Sequence, residues 1–248
     1  MKITDCVIIC AVALSLFMRC QPETAELTDD QLGYHFFPIR VGLQWKYQCD
    51  SILYQRSNGV KGDTVHCEIM EVITDSTRDA EGNPFYNLEI FYRKDETRPW
   101  ELIDNAFLTV TPSSIIRQDG GLDFIKLVFP VIKNKSWNGN IRISQENMIK
   151  LNGEFFKPFA YWSGKSYYYT DILNDVKIND NFYDQILDVE EVNYTDDLNR
   201  IYSTVRYAKD VGPVYREFWL LSSDNADPSL PWTVKADFGA IIKMSRIK

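Results

Sequence analysis

The sequence has little of what most enzyme and metal sites require. It contains only two histidines, His35 and His66, among 248 residues. It has no HExxH pattern, no Cys/His spacing of a zinc site and no GxSxG turn of a serine hydrolase. We therefore predict no catalytic residues, no metal site and no cofactor, and we assign both histidines to surface or packing roles.

Basic residues are in the minority, because 27 lysines and arginines stand against 35 aspartates and glutamates, for a net charge of -8. A protein that binds nucleic acid needs a basic face to replace the counterions around phosphates. A protein that docks on anionic lipid headgroups by charge alone needs one too. The composition therefore argues against nucleic acid as a partner and against membrane docking through charge.

The N-terminal apolar run is too short to span a bilayer. It reads CVIICAVALSLFM at residues 6–18, whereas a membrane helix needs about 20 apolar residues. A secretory signal has an apolar region of roughly 7–15 residues, which this run fits. Cys20 follows directly after Arg19, where a lipoprotein signal places the cysteine that takes a diacylglycerol.

We therefore predict a lipoprotein signal peptide at residues 1–19 and lipidation of Cys20. The pair Met18-Arg19 replaces the usual small residues, so a cleaved soluble protein and an uncleaved anchor stay open as alternatives. Residues 20–33 are polar and acidic and are predicted to be a tether. The expected location is the outer membrane, with the protein held there by its lipid and either periplasmic or exposed on the cell surface.

The body of the chain lacks any long stretch with a helical apolar period, and it shows no internal repeat. Aromatic residues make up 14% of the chain, and short apolar-polar alternations are separated by turns rich in Gly, Asn, Asp and Pro. We predict one all-β domain at residues 34–248, folded as a curved antiparallel sheet or incomplete barrel of about ten or more strands. The predicted strands cover residues 45–53, 65–73, 85–92, 100–110, 114–118, 122–132, 140–149, 154–161, 167–173, 182–192, 200–208, 214–221 and 234–247.

Two cysteines of the body, Cys49 and Cys67, fall on the same apolar side of the first predicted hairpin. If the loop is centred on Asn58, opposing residue numbers sum to 116, and the two cysteines face each other. If Asn58 and Gly59 form a two-residue turn, the sum is 117 and Cys67 points to the other face. The match of the apolar faces favours the even registers. A Cys49–Cys67 disulfide and a pair of buried free thiols both remain open.

An aromatic cluster, FAYWSGKSYYY at residues 159–169, is the best candidate for a ligand-binding surface. Exposed aromatic rings stack on sugars and on apolar rings. The alternative is that every second ring packs into the core. The candidate ligand-binding aromatics are Tyr161, Trp162, Tyr167, Tyr168 and Tyr169.

Several landmarks resemble uncharacterised outer-membrane lipoproteins of Bacteroidetes-type bacteria. The segment FFPIRVGLQWKYQCDSI at residues 36–52 is similar to the start of their mature domain, through Phe37-Pro38, Gly42, Trp45 and Tyr47. YAKDVGPVYREFW, NDNFYDQILDVEEV and the closing FGAIIKMSRIK resemble their later strands. The resemblance implies a lipid-anchored, β-rich envelope protein without an assigned activity, and it carries over no catalytic residue.

The function expected from these observations is that of a non-enzymatic binding module of the cell envelope. Its partner would be a small apolar ligand or another envelope protein. The alternatives are a glycan-binding accessory protein that uses the aromatic cluster and a hydrolase that uses paired carboxylates. An apolar cavity would favour the binding module. An open shelf of aromatic rings would favour glycan binding, and two facing buried carboxylates would favour the hydrolase.

Overall fold

The computed structural model describes residues 28–55, 64–151, 154–162, 164 and 167–247. The predicted signal peptide, Cys20 and most of the predicted tether lie outside these residues. Every α-helix that the structure describes is a single turn, so none of them could cross a membrane.

Strands dominate the described chain, as the alternation of apolar and polar residues predicts. The three helical turns are α1 (Asp29–Leu32), α2 (Phe159–Trp162) and α3 (Trp232–Lys235), and a 3-10 turn covers Tyr34–Phe36. The strands are β1 (Gln44–Tyr54), β2 (Thr64–Arg78), β3 (Pro84–Arg93), β4 (Glu101–Thr111), β5 (Ser114–Asp119), β6 (Leu122–Val128), β7 (Ser136–Trp137), β8 (Ile149–Leu151), β9 (Glu154–Phe156), β10 (Tyr167–Ile178), β11 (Asn181–Thr195), β12 (Asn199–Ala208), β13 (Gly212–Ser222) and β14 (Phe238–Ile247).

Twelve of these strands form one antiparallel sheet. Its order is β6-β5-β4-β3-β2-β1-β14-β13-β12-β11-β10-β7, so two meanders meet where β1 pairs with β14. Short turns permit this arrangement, because antiparallel neighbours need only a hairpin between them. The predicted fold class, an all-β curved antiparallel sheet or incomplete barrel, is confirmed.

The two edges of the sheet are joined by hydrogen bonds across the closing gap. The N–H of Ile125 donates to the carbonyl of Gly139 at 2.8 Å, and the indole N–H of Trp137 donates to the carbonyl of Ile125 at 2.7 Å. The Tyr169 hydroxyl donates to the carbonyl of Val128 at 2.6 Å and accepts from its N–H at 2.8 Å. Side chains thus replace part of a backbone ladder, and the sheet is nearly closed into a barrel.

Tyr169→Phe is expected to lower the free energy of unfolding by about 2 kcal/mol, because it removes two hydrogen bonds and leaves both backbone groups of Val128 without this partner. Urea unfolding followed by tryptophan fluorescence measures the loss. Tyr168→Phe is the matched control, since the half-buried Tyr168 hydroxyl makes one bond, to Glu190 at 3.2 Å. Equal losses in the two variants would show that the Tyr169 hydroxyl does not close the barrel.

The interior is filled by the inward side chains of alternate strand positions. Trp45, Tyr47, Leu88 and Leu108 are fully buried in the larger apolar cluster. A second cluster contains Ile143, Phe159, Trp162, Tyr167, Val192, Ile201 and Leu220. The two clusters show that large aromatic and branched side chains fill the space inside the curved sheet.

Two predicted strands, at residues 140–149 and 154–161, are wrong. Turns and the separate β8–β9 hairpin replace most of them, and α2 replaces the end of the second. The apolar residues of this region do not follow one face of a sheet: Ile143 and Phe159 are buried in the second cluster, whereas Ile141 and Phe155 are 67% and 63% exposed. Apolar spacing alone could not distinguish a packed loop from a strand.

At two other places a helical turn replaces the predicted structure. The last predicted strand begins at residue 234, but α3 occupies its start and β14 begins at Phe238. The last residues of the predicted tether form α1, which has a capping box: Thr28 Oγ1 accepts from the N–H of Gln31, and the Gln31 side chain accepts from the N–H of Thr28. The polar residues that suggested a tether here are therefore helix-capping residues.

Candidate functional site

An apolar pocket of about 650 Å³ lies where β1 begins, β2 turns into β3 and β4 turns into β5. Four separate parts of the chain form its walls, and no charged residue is among the described residues that line it. The lining residues are Tyr34, Phe37, Pro38, Ile39, Gly82, Asn83, Pro84, Tyr86, Val110, Thr111, Pro112, Ile115 and Phe129. Concave sites with mostly apolar walls are typical of small-molecule binding.

The wall that precedes β1 is fastened to the barrel. The Tyr34 hydroxyl donates to the carbonyl of Pro112 at 2.7 Å, and its ring meets Phe129 edge-on at 4.5 Å between centroids. The N–H of Val131 donates to the carbonyl of Leu32 at 2.9 Å. These contacts fix the position of this wall, and the Tyr34 hydroxyl is already hydrogen-bonded to a backbone carbonyl.

The next residue, His35, also contributes to this attachment. Its carbonyl accepts from the N–H of Asp210 at 2.8 Å, and its ring lies 4.4 Å from that of Phe36. Burial lowers the pKa of His35, as does the nearby Lys209, although Asp30, whose carboxylate lies 3.3 Å from Nδ1, opposes the shift. The His35 ring thus packs against the ring of Phe36 beside the pocket wall.

A cluster of charged side chains lies inside the barrel. Glu71, which is 2% exposed, accepts two hydrogen bonds from Arg216, at 2.7 and 2.9 Å, and its Oε1 lies 2.9 Å from Nη1 of Arg117. Burial alone would raise the pKa of Glu71, but the two guanidinium groups outweigh it and lower the pKa to about 2. Glu71 is therefore fixed as a carboxylate between two arginines, and Arg117 also pairs with Asp119 at 2.7 Å.

A second buried carboxylate, Glu191, is also matched by a cation. It forms an ion pair with Lys126 and accepts from the Ser203 hydroxyl at 2.7 Å, and its backbone carbonyl accepts from the indole of Trp162 at 3.0 Å. Glu71 and Glu191 are therefore each neutralised by their own cations rather than facing each other as an acid and a base. The sequence could have indicated Glu71, because it is a charged residue at an inward-facing position of a strand whose other inward positions are apolar.

On the outer face of the sheet, two carboxylates do oppose each other. Asp171 on β10 faces Asp188 on β11. Burial raises the pKa of Asp188, although Arg206 lies 3.0 Å away, whereas Lys133 at 2.7 Å lowers the pKa of Asp171. Each of the two carboxylates therefore has its own neighbouring cation, Lys133 for Asp171 and Arg206 for Asp188.

The first hairpin has the register that was favoured from the sequence. Cys49 lies opposite Cys67 and Tyr47 opposite Ile69, so opposing numbers sum to 116. Both cysteines are free thiols; Cys49 is buried and Cys67 is half-buried. In the structure the two thiols face each other across the hairpin, and the Cys49–Cys67 disulfide remains a prediction.

The candidate ligand-binding aromatics are divided between the core and the surface. Trp162 is 4% exposed, and Tyr167 and Tyr169 are fully buried, so these three rings pack the barrel. Tyr161 is 36% exposed and stacks on Tyr194 at 5.0 Å. Tyr168 is half-buried on the outer face, so the five rings do not form one continuous shelf.

Two further clefts are more polar. One, of about 550 Å³, lies between the β11–β12 turn and the segment that leads into α3, and it contains Asp196, Asp197 and Trp232. Lys235 lies 4.2 Å above the Trp232 ring and donates to the carbonyl of Asp197 at 3.0 Å. The other, of about 380 Å³, is lined by Phe182, Lys209 and neighbouring residues.

In the described part of the chain, no three His, Cys, Asp or Glu side chains come together as a metal site would require. Comparison of the chain with family models, with curated proteins and with solved structures finds no match.

Proposed function

We propose that this protein is a lipid-anchored, non-enzymatic binding module of the cell envelope that holds a small apolar ligand in the pocket at the end of its barrel. The observation that carries the proposal is the pocket itself, with a volume of about 650 Å³ and walls of aromatic, aliphatic and proline residues. Burying apolar ligand surface against such walls contributes about 25 cal/mol per Å².

The lining of the pocket indicates what kind of ligand it would accept. An ionised group placed among these residues would lose its hydration without gaining a partner of opposite charge, which is unfavourable. The Tyr34 hydroxyl is already directed to the carbonyl of Pro112. The buried part of the ligand is therefore neutral, such as an acyl chain or an apolar ring, and its polar groups remain at the mouth.

The position of the proposed anchor supports a ligand that comes from a membrane. Thr28 follows Cys20 by eight positions, and a fully extended chain spans at most about 28 Å over that length. The pocket wall begins six positions later, at Tyr34. A lipid on Cys20 would thus hold the pocket near the bilayer surface, and the two or three acyl chains of a bacterial lipoprotein anchor firmly.

Ile39→Glu is expected to weaken binding of an apolar probe at least tenfold, because it introduces a carboxylate into a wall without cations. The probe is N-phenyl-1-naphthylamine, titrated by fluorescence into residues 21–248 secreted without the lipid. Val41→Glu is the matched control: it makes a comparable change in the same segment, but Val41 is 51% exposed and does not line the pocket.

Thermal melting of both variants separates a binding effect from a folding effect. We expect Ile39→Glu to keep a cooperative transition while losing the probe. Equal affinity in the wild type and in Ile39→Glu would place the probe elsewhere and would reject the pocket. Native mass spectrometry of the protein, compared with its denatured mass, then identifies a ligand retained from the cell.

The alternatives have less support. Glycan binding through residues 159–169 would need a shared exposed shelf, but three of the five rings are buried. A hydrolase would need an acid and a base on either side of a substrate. The buried carboxylates Glu71 and Glu191 are instead each paired with their own cations. A screen of glycoside and ester substrates that detects turnover would revive this alternative.

A further inference from the structure

The two body cysteines occupy a position in the ladder that a disulfide can bridge. Cys49 on β1 and Cys67 on β2 lie directly opposite each other in an unbroken antiparallel register. Directly opposite residues of an antiparallel pair hold their Cα atoms about 4.5 to 5.5 Å apart, which is within the disulfide range.

The environments of the two sulfur atoms differ. Cys49 is 6% exposed and lies between Cys67 on β2 and Met244 on β14, whereas Cys67 is half-buried. The hydrogen bond between the thiols raises the pKa of Cys49, as does burial, and lowers the pKa of Cys67. Cys67 is therefore the thiol that reaches solvent and ionises first, and Cys49 is the donor behind it.

We propose that Cys49 and Cys67 form a redox-active dithiol that closes to a cross-strand disulfide by exchange with a disulfide oxidant. The oxidant is of the class of oxidised glutathione or the active-site disulfide of a thiol oxidoreductase. Exported proteins meet such oxidants, whereas the cytosol keeps thiols reduced. This site is independent of the pocket, which lies at the start of β1.

The exchange takes place in two steps. The Cys67 thiolate attacks one sulfur of the oxidant, the oxidant's S–S bond breaks, and its other sulfur leaves as a thiolate that takes up the proton Cys67 released. Cys49 then loses its proton and attacks Sγ of Cys67, which expels the remaining thiol of the oxidant. Two electrons and two protons pass from the cysteine pair to the oxidant, which ends as two thiols.

The experiment uses the full chain, purified in detergent with reductant and then moved into oxidised glutathione without reductant. Free thiols are blocked with N-ethylmaleimide before tryptic digestion without reduction. We expect the peptides at residues 47–56 and 62–78 to appear as one species, lighter than their sum by two hydrogens and separated again by reductant. Their mapping distinguishes this pair from Cys6, Cys10 and Cys20.

Two variants test the order of attack. Cys49→Ser is expected to accumulate one glutathione on Cys67, because the resolving thiol is missing. Cys67→Ser is expected to take up glutathione on Cys49 at least tenfold more slowly, because that thiol is buried. Circular dichroism confirms that each variant is folded. Failure to join the peptides in folded protein would overturn the proposal, and faster addition at Cys49 would overturn the assigned roles.

Discussion

Replacing Glu71 with glutamine is expected to lower the free energy of unfolding by about 3 to 5 kcal/mol, which is typical when one partner of a buried ion pair is removed. Glu71 is the shared partner of Arg216 and Arg117, and all three lie inside the barrel. Glutamine keeps the shape but removes the charge. The buried Arg117 and the partly exposed Arg216 would then have only Asp119 as a nearby counter-charge.

The same carboxylate predicts how stability depends on pH. The pKa of Glu71 is lowered to about 2 in the folded protein, from 4.5 in an unperturbed chain. A group with a depressed folded pKa stabilises the fold above its unfolded pKa, and this contribution is lost as the pH falls through the folded value. We therefore expect about 3 kcal/mol of stability to disappear between pH 4.5 and about pH 2.

Urea unfolding at pH 7 and at pH 3 measures both effects. Glu101→Gln is the matched control, because it makes the same chemical change at an exposed position of a strand. The control should lose less than about 0.5 kcal/mol. The Glu71→Gln variant should also lose less stability on acidification than the wild type does. A loss below about 1 kcal/mol at pH 7 would mean that water, rather than Glu71, compensates the arginines.

The buried charged groups border both apolar clusters of the interior. The Arg216 guanidinium lies 5.4 Å above the ring of Tyr47, which belongs to the larger cluster. The backbone of Glu191 binds Trp162 of the second cluster. Paired charges with defined partners constrain the geometry more than apolar contacts do. We therefore assign the cluster a structural role, and the proposed ligand site remains the uncharged pocket.

Alternation along single strands was enough to predict the fold class and the first register. Trp45, Tyr47 and Cys49 share one face of β1, and matching that face to Ile69 and Ile73 on β2 leaves only even registers. A loop centred on Asn58 gives the even register with a sum of 116, which is the one in the structure. These are local constraints, because both strands and their loop lie within one short part of the chain.

The pocket and the charged cluster could not be predicted in this way, because they depend on contacts between distant positions. Glu71 and Arg216 are 145 residues apart, and they meet only after β1 has paired with β14. The pocket combines residues that precede β1 with two hairpin turns and Phe129. Each of these segments is unremarkable by itself, and only the curvature of the sheet brings them together.

Gly239→Ala is expected to cost about 4 kcal/mol or more, or to prevent folding. Gly239 lies on β14 with a φ of 115°, between Tyr54 of β1 and Leu221 of β13. A Cβ atom at this position would lie 1.9 Å from the carbonyl oxygen of Leu220, so β13 and β14 would have to move apart. The clash is with backbone atoms of β13, so no flexible side chain can move aside to relieve it.

Gly120→Ala is the matched control, because it separates the steric clash at Gly239 from the backbone strain of a positive φ. Gly120 has a φ of 54°, and its Cβ would meet nothing within 4 Å, so only the backbone cost of about 1 kcal/mol applies. Thermal melting compares the two variants, and each 1 kcal/mol corresponds to about 2–4 °C for a domain of this size. We expect Gly239→Ala to melt at least about 6 °C below Gly120→Ala. Similar melting temperatures would show that β13 and β14 can separate at this position without cost.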